Sequence, residues 1–83
     1  MKIKLNDVLK RIGFELKNLR IEKGFHTLKD FSLKYDLPLI QYWRIEKGKA
    51  SIIIKTLTQL LAIHKLCIED FFVCLTVNKP LPD

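Results

Sequence analysis

Side chains able to do chemistry are sparse in this chain, and the best metal candidates are His64, Cys67 and Cys74. An imidazole and a thiol three residues apart can share one helix face. A structural zinc site wants four ligands in regular spacing, however, and here a fourth is missing while Cys74 lies seven residues beyond Cys67. Buried cysteines near a helix junction are the simpler reading of the same residues. No metal and no other cofactor is expected. Serine, histidine and aspartate all occur, but nothing resembles a nucleophile elbow, a glycine-rich phosphate loop or a paired-carboxylate site. The chain reads as a non-enzyme, and no small-molecule ligand is evident.

The remaining chemistry is electrostatic. The 83 residues carry a net charge of +6, and it is unevenly placed: +4 over residues 1–24, +2 over 25–50 and zero over 51–83. An anionic partner suits this balance, and so does a merely soluble surface; charge alone weighs the two equally. With 48% hydrophobic and 29% charged residues the composition is that of a globular domain rather than a disordered segment. The longest stretch free of charge and strong polarity, Phe71 to Val77, is far short of the roughly 20 apolar residues of a membrane span. The first residues lack the apolar segment of a signal peptide, and two cysteines are too few for a disulfide scaffold. A cytoplasmic protein with no membrane association is the expectation.

The elements that must position these groups are helical throughout, with no hairpin signal, repeat or low-complexity segment. Leu5, Val8 or Leu9, Ile12, Leu16, Leu19 and Lys23 step by three and four, predicting a helix from Asn6 to Lys23 that Asn6 or Asp7 caps and Gly24 stops. Thr27 followed by Asp30 opens a second helix of about nine residues to Tyr35, with Leu28, Phe31 and Tyr35 as its apolar marks. A third starts near Pro38, where a missing N–H costs nothing, and ends by Lys47 before Gly48. Ser51 caps a fourth, Ile53 to His64, with Ile54, Leu57, Leu60 and Leu61 inward, and a short fifth runs from Ile68 to Leu75. The expectation is an all-α, compact five-helix domain over residues 1–76, followed by a tail over 77–83.

The segment from Thr27 to Lys47 meets the demands of a helix-turn-helix, two steeply crossed helices joined by a turn of three or four residues. Ser32 is the small residue needed where the second backbone approaches. Asp36 stands where the turn requires positive φ, a conformation that aspartate tolerates. Phe31, Tyr35, Leu37, Tyr42 and Ile45 have the offsets of inward anchors.

From about Ile12 to Phe72 the chain resembles the Cro and lambda-repressor-like helix-turn-helix regulators, the XRE family. The resemblance rests on Ile12-Gly13 through Leu16, Leu19 and Arg20 to Glu22-Lys23-Gly24. It continues with Asp36-Leu37-Pro38-Leu39-Ile40-Gln41-Tyr42-Trp43-Arg44-Ile45-Glu46-Lys47-Gly48-Lys49, then Leu57 to Leu61 and Ile68-Glu69-Asp70-Phe71-Phe72. It implies a lambda-repressor-like fold and a sequence-specific transcriptional regulator. Such a protein would be a dimeric repressor on double-stranded DNA, with helix 38–47 in the major groove. On that pattern Leu39, Ile40 and Arg44 face base edges with Gln41 and Trp43 beside them. Arg44 would pair with guanine O6 and N7, while Leu39 and Ile40 would meet thymine methyls or exclude water. Lys47 and Lys49 would grip phosphates, and Thr27 and Leu28 would present backbone N–H groups to the sugar-phosphate chain. Arg20 and Glu46 fall where the family pairs an arginine with a glutamate, a structural brace.

The chain also departs from the family. One residue is added in Gly24-Phe25-His26-Thr27, and Leu28 stands where relatives carry glutamine. The third helix is unusually apolar. These departures keep a second reading open: a protein-interaction module, or the antitoxin of a toxin–antitoxin pair, on the same fold. Trp43 can pack on DNA sugars, meet a protein or fold back on the domain. Lys10, Arg11 and Lys17 are read as a solvated face of the first helix, the alternative being a phosphate contact by one of them. Ile68, Phe71, Phe72 and Leu75 are more apolar than a terminal helix needs, so they either cap the core or form a homodimer seam.

Overall fold

Left-handed backbone at four places, Gly24, Asp36, Gly48 and Lys65, divides the chain into five helices. In the computed structural model, which describes residues 4–77, these are α1 (Leu5–Glu22), α2 (Leu28–Lys34), α3 (Leu39–Glu46), α4 (Ile54–Ile63) and α5 (Ile68–Val77). The first four end alike. The residue after the left-handed one returns its N–H to a carbonyl five residues back: Phe25 to Arg20 at 3.1 Å, Leu37 to Ser32 at 2.9 Å, Lys49 to Arg44 at 2.9 Å and Leu66 to Leu61 at 3.0 Å. This closure satisfies carbonyls that a helix end leaves open. At three of the four ends the returning residue, Phe25, Leu37 or Leu66, is apolar and packs on the core, so each stop also aims the next segment inward.

Helix starts depend less on side chains. Thr27 caps α2 as its sequence predicts, its Oγ1 accepting from the Asp30 N–H at 3.1 Å, and Tyr35 is the residue that closes the helix. Pro38 stands at the N-cap of α3. The expected caps at Asn6 or Asp7 and at Ser51 are not used: α1 begins after Lys4 and α4 after Ile53, neither with a side-chain cap bond. Starting α4 three residues past Ser51 turns Ile54 outward, 63% exposed instead of buried, and Leu5 at the free end of α1 is likewise 65% exposed. Helix α5 runs two residues beyond Leu75, so the expected tail begins inside it at Val77; residues 78–83 lie outside the described part of the chain.

The core is built from Ile12 and Leu16 of α1, Phe31 of α2, Tyr42 of α3, Leu57, Leu60 and Leu61 of α4, and Phe71 of α5. Phe31 is its hub. The ring meets Phe25 edge-on at 5.4 Å and Tyr35 and Tyr42 at 5.0 and 5.3 Å, and the His64 imidazole stacks nearly parallel to it at 5.7 Å. Helix α1 packs on α3 and α5, α2 on α3, and α4 on α5. No strand occurs among the described residues, and no helix there is long and apolar enough to cross a membrane.

The tightest approach lies between α1 and α3. A Cβ at Gly13 would fall inside the contact radius of the carbonyl oxygens of Ile45 and Glu46, so the two backbones touch with no side chain between them. Alanine normally gains about 1 kcal/mol over glycine inside a helix, whereas overpacking a tight contact costs about 1–3 kcal/mol. Both obstructing atoms are backbone and cannot rotate away. Gly13→Ala is therefore expected to lower the urea midpoint; a raised midpoint would show that α1 and α3 part without cost.

Candidate functional site

Helix α3 has two unlike faces. Tyr42 and Glu46 are buried and Ile45 half-buried, whereas Leu39, Ile40, Gln41, Trp43 and Arg44 are exposed, as are Lys47 and Lys49 just beyond the helix. The split follows the 3.6-residue period: positions 42, 45 and 46 share the stripe that packs on α1 and α2.

One ion pair locks the inner face. Arg20 donates from Nε to Glu46 Oε2 at 2.9 Å and from Nη2 to Oε1 at 3.2 Å, and its Nη1 reaches the Phe25 carbonyl at 2.7 Å. Both side chains are almost fully buried. This two-pronged geometry fixes orientation as well as distance. It ties the last turn of α1, the turn after it and the last turn of α3 into one unit. Nearby, the Tyr42 hydroxyl is buried without a hydrogen bond of good geometry, and its ionisation is suppressed first by burial and then by the adjacent Glu46 carboxylate. The Ser32 hydroxyl is also buried and unpartnered, so the value of this residue lies in its small size where α2 approaches α3.

The outer face continues into the loop that follows. Lys49 folds back, its N–H bonded to the Arg44 carbonyl at 2.9 Å and its Nζ 5.1 Å from the centre of the Trp43 ring. Arg44 Nη2 makes a long 3.4 Å contact with the Lys49 carbonyl, leaving most of its donors free. Two clefts flank this cluster. One, of about 320 Å³, runs between Gln41, Arg44 and Ile45 on one side and Ala50, Ser51, Ile52, Ile53 and Thr56 on the other. The other brings Lys10 of α1 beside Lys47, Gly48 and Lys49, with Asn6 and Ser51 at its edge. Gly48 permits this contact, because a Cβ there would lie 2.9 Å from Lys10 Cα.

The expected site residues are therefore brought together in part. Gln41 and Arg44 share one cleft, Lys47 and Lys49 share the other, and Trp43 joins them through Lys49. Thr27 and Leu28 line neither cleft. The Thr27 oxygen is committed to its helix cap, and the Leu28 side chain packs on the core. Lys10, read from sequence mainly as solvated surface, belongs beside Lys47 and Lys49, and the Ala50–Ile53 wall was not foreseen. Of the two alternatives read for Ile68, Phe71, Phe72 and Leu75, capping the core holds for three: Phe71 is wholly inside it, and Ile68 and Leu75 pack against it. Phe72 and Val73 remain exposed on that helix. Among the described residues no group of three or more His, Cys, Asp and Glu side chains is placed to hold a metal ion; Cys67 is exposed and Cys74 half-buried. Compared with known proteins, the chain matches no family model, no curated protein and no solved structure.

Two measurements test the interior of this site. Arg20→Met strands the Glu46 carboxylate and is expected to lower unfolding free energy by about 3–5 kcal/mol, while adding Glu46→Leu recovers most of that loss. A double variant as unstable as Arg20→Met would show that the pair acts otherwise. For His64, burial and then the Lys23 charge lower the imidazole pKa below its ordinary 6.5. The unfolded chain thus takes up the proton first. The contribution to stability is complete above about pH 6.5 and is lost as pH falls through the lowered folded value. Denaturant midpoints between about pH 7.5 and pH 5 should fall, and His64→Phe, which keeps an aromatic ring on Phe31, should flatten that fall.

Proposed function

We propose that this chain is a sequence-specific, double-stranded-DNA-binding transcriptional regulator of the Cro and lambda-repressor-like helix-turn-helix type. In this reading α2 and α3 are the motif, and α3 lies in the major groove. The observation that carries the proposal is the charge arrangement of residues 39–53. Their one carboxylate, Glu46, is buried and neutralised by Arg20, whereas Arg44, Lys47 and Lys49 all face solvent. A helix and following loop that hide their only acid and show three cations beside an exposed amide, Gln41, suit a polyanion that also offers hydrogen-bonding edges. The four-residue connection, Tyr35 to Pro38, and the rigid seat of α3 on α1 fit the same task.

Roles follow from chemistry. Arg44 reads guanine, Gln41 reads adenine, and Lys47, Lys49 and Lys10 hold phosphates. Binding by two copies at half-sites about one helical turn apart would multiply the modest affinity of one short helix. A second reading, a protein partner such as a toxin on the same surface, is favoured by one observation: Ile40 and Ile53 are both large, apolar and exposed beside the outer face.

Electrophoretic shifts on duplexes selected from a random pool test the proposal. Arg44→Ala is expected to cost about 1–3 kcal/mol on the selected site and to relax choice at one base pair. Lys47→Ala is expected to weaken all sequences alike and to reduce the salt slope by about 1. Absence of any shift at low salt, together with a stoichiometric protein partner on purification, would replace DNA by that partner.

A further inference from the structure

The loop from α3 to α4 carries a hydroxyl that the fold does not use. The cap expected of Ser51 is not made: α4 starts after Ile53 with no side-chain cap, and Ser51 is exposed in a segment outside any helix. The other described serine and threonines are placed differently. Ser32 is buried, Thr27 and Thr58 are bonded to helix backbone, and Thr56 and Thr76 lie inside α4 and α5. Ser51 also lines both clefts of the outer face, the one with Gln41 and Arg44 and the one with Lys10, Lys47 and Lys49. Lys47 and Lys49 stand four and two residues before it, and no acidic side chain of residues 39–53 is exposed. Addition of a phosphoryl group needs an oxygen within reach of an enzyme and partners for the anion it creates. Both are present here.

Resting on the DNA-binding reading above, we propose that Ser51 is a phosphorylation site and that its phosphate turns off the DNA-binding face. The donor is a nucleoside triphosphate, held by a serine/threonine kinase whose acidic groups pair with Lys47 and Lys49. Ser51 Oγ attacks the γ-phosphorus, and the bond from that phosphorus to the β,γ-bridging oxygen breaks. The nucleoside diphosphate leaves, and the hydroxyl proton passes to a base of the kinase. The product carries about −1.5 to −2 charges and three strong acceptor oxygens. Set against exposed Arg44, Lys47 and Lys49, it lowers the exposed charge of residues 39–53 from three positive to about one. Cations that would meet DNA phosphates are then paired within the chain, and the new anion repels the incoming backbone. Because Ser51 borders both clefts, one modification reaches the phosphate-gripping lysines and the base-reading Arg44 together.

The test uses the full chain isolated from its own cells under phosphatase inhibition, and the full chain synthesised with phosphoserine at position 51. Peptide mass mapping of the isolated chain should place phosphate on Ser51. Extract of the same cells, supplied with ATP, should transfer phosphate to that residue of the unmodified chain and to no residue of Ser51→Ala. Phosphate found at Ser51 by either route supports the site; its absence from both overturns it. The switch is read on a duplex selected from a random pool with the unmodified chain. Phosphoserine is expected to withdraw about two cations, lowering the slope of log affinity against log salt by about 2. At physiological salt the same loss weakens binding about thirtyfold. If affinity and slope are unchanged by the phosphate, the switch fails while DNA binding stands. If the unmodified chain binds no duplex, the DNA reading falls and the switch with it, while the mass map still decides whether Ser51 is modified.

Discussion

The guanidinium of Arg20 touches three parts of the chain at once: the Glu46 carboxylate at the end of α3, the Phe25 carbonyl after α1, and through its own backbone the last turn of α1. Removing both ions from water is costly, and the two-pronged contact with its additional carbonyl acceptor offsets that cost only in one arrangement. Such a pair contributes position more than stability. With Gly13 letting α1 lie directly on the carbonyls of Ile45 and Glu46, it leaves α3 little freedom to shift or roll. Every property of the outer face follows from this seating: which residues of α3 face out, where the next loop begins, and how that loop reaches Lys10.

Electrostatic consequences follow from the same pair. Because the acid of α3 is consumed inside, the helix and its following loop present unopposed positive charge. The partial negative charge of a helix C-terminus at Ile45 and Glu46 is met by Lys47 and Lys49 just beyond it. Inside, the Tyr42 phenol stays neutral beside Glu46, and the His64 imidazole is biased toward its neutral form against Phe31. The interior thus holds its polar groups in uncharged or paired states, while the outer cations stay in water, where they respond to ionic strength.

Much of this was legible in the sequence, for reasons particular to each residue. Gly24, Gly48 and Asp36 announce left-handed turns because few other residues enter that region readily. Lys65 occupies the same conformation, φ 56°, with no signal in its side chain; packing of α4 and α5 imposes it. Spacing placed Phe31 and Tyr42 in the core, whereas the Arg20–Glu46 pair was implied by the family resemblance alone. Periodicity states which face of a helix is apolar but not whether its ends extend past their neighbours, which is why Leu5 and Ile54 were misjudged. The same limit applies to Phe71, where an apolar stripe can serve the core or a partner equally. The clefts were beyond reach, since they depend on how the loop near residue 50 lies against α3 on one side and against Lys10 on the other. Gly13 in the middle of α1 hinted at the close approach of α3, and Gly48 at that of Lys10.

Trp43 is the single tryptophan of the chain, half-exposed on α3 beneath the Lys49 ammonium. Indole emission depends on the polarity and charge around the ring, so the tryptophan fluorescence of this protein originates at one known spot on its outer face. Folding, withdrawal of Lys49 and arrival of any partner would each alter the same signal, with no second indole to dilute it. The molecule carries its own optical label at the surface where its function is proposed to lie.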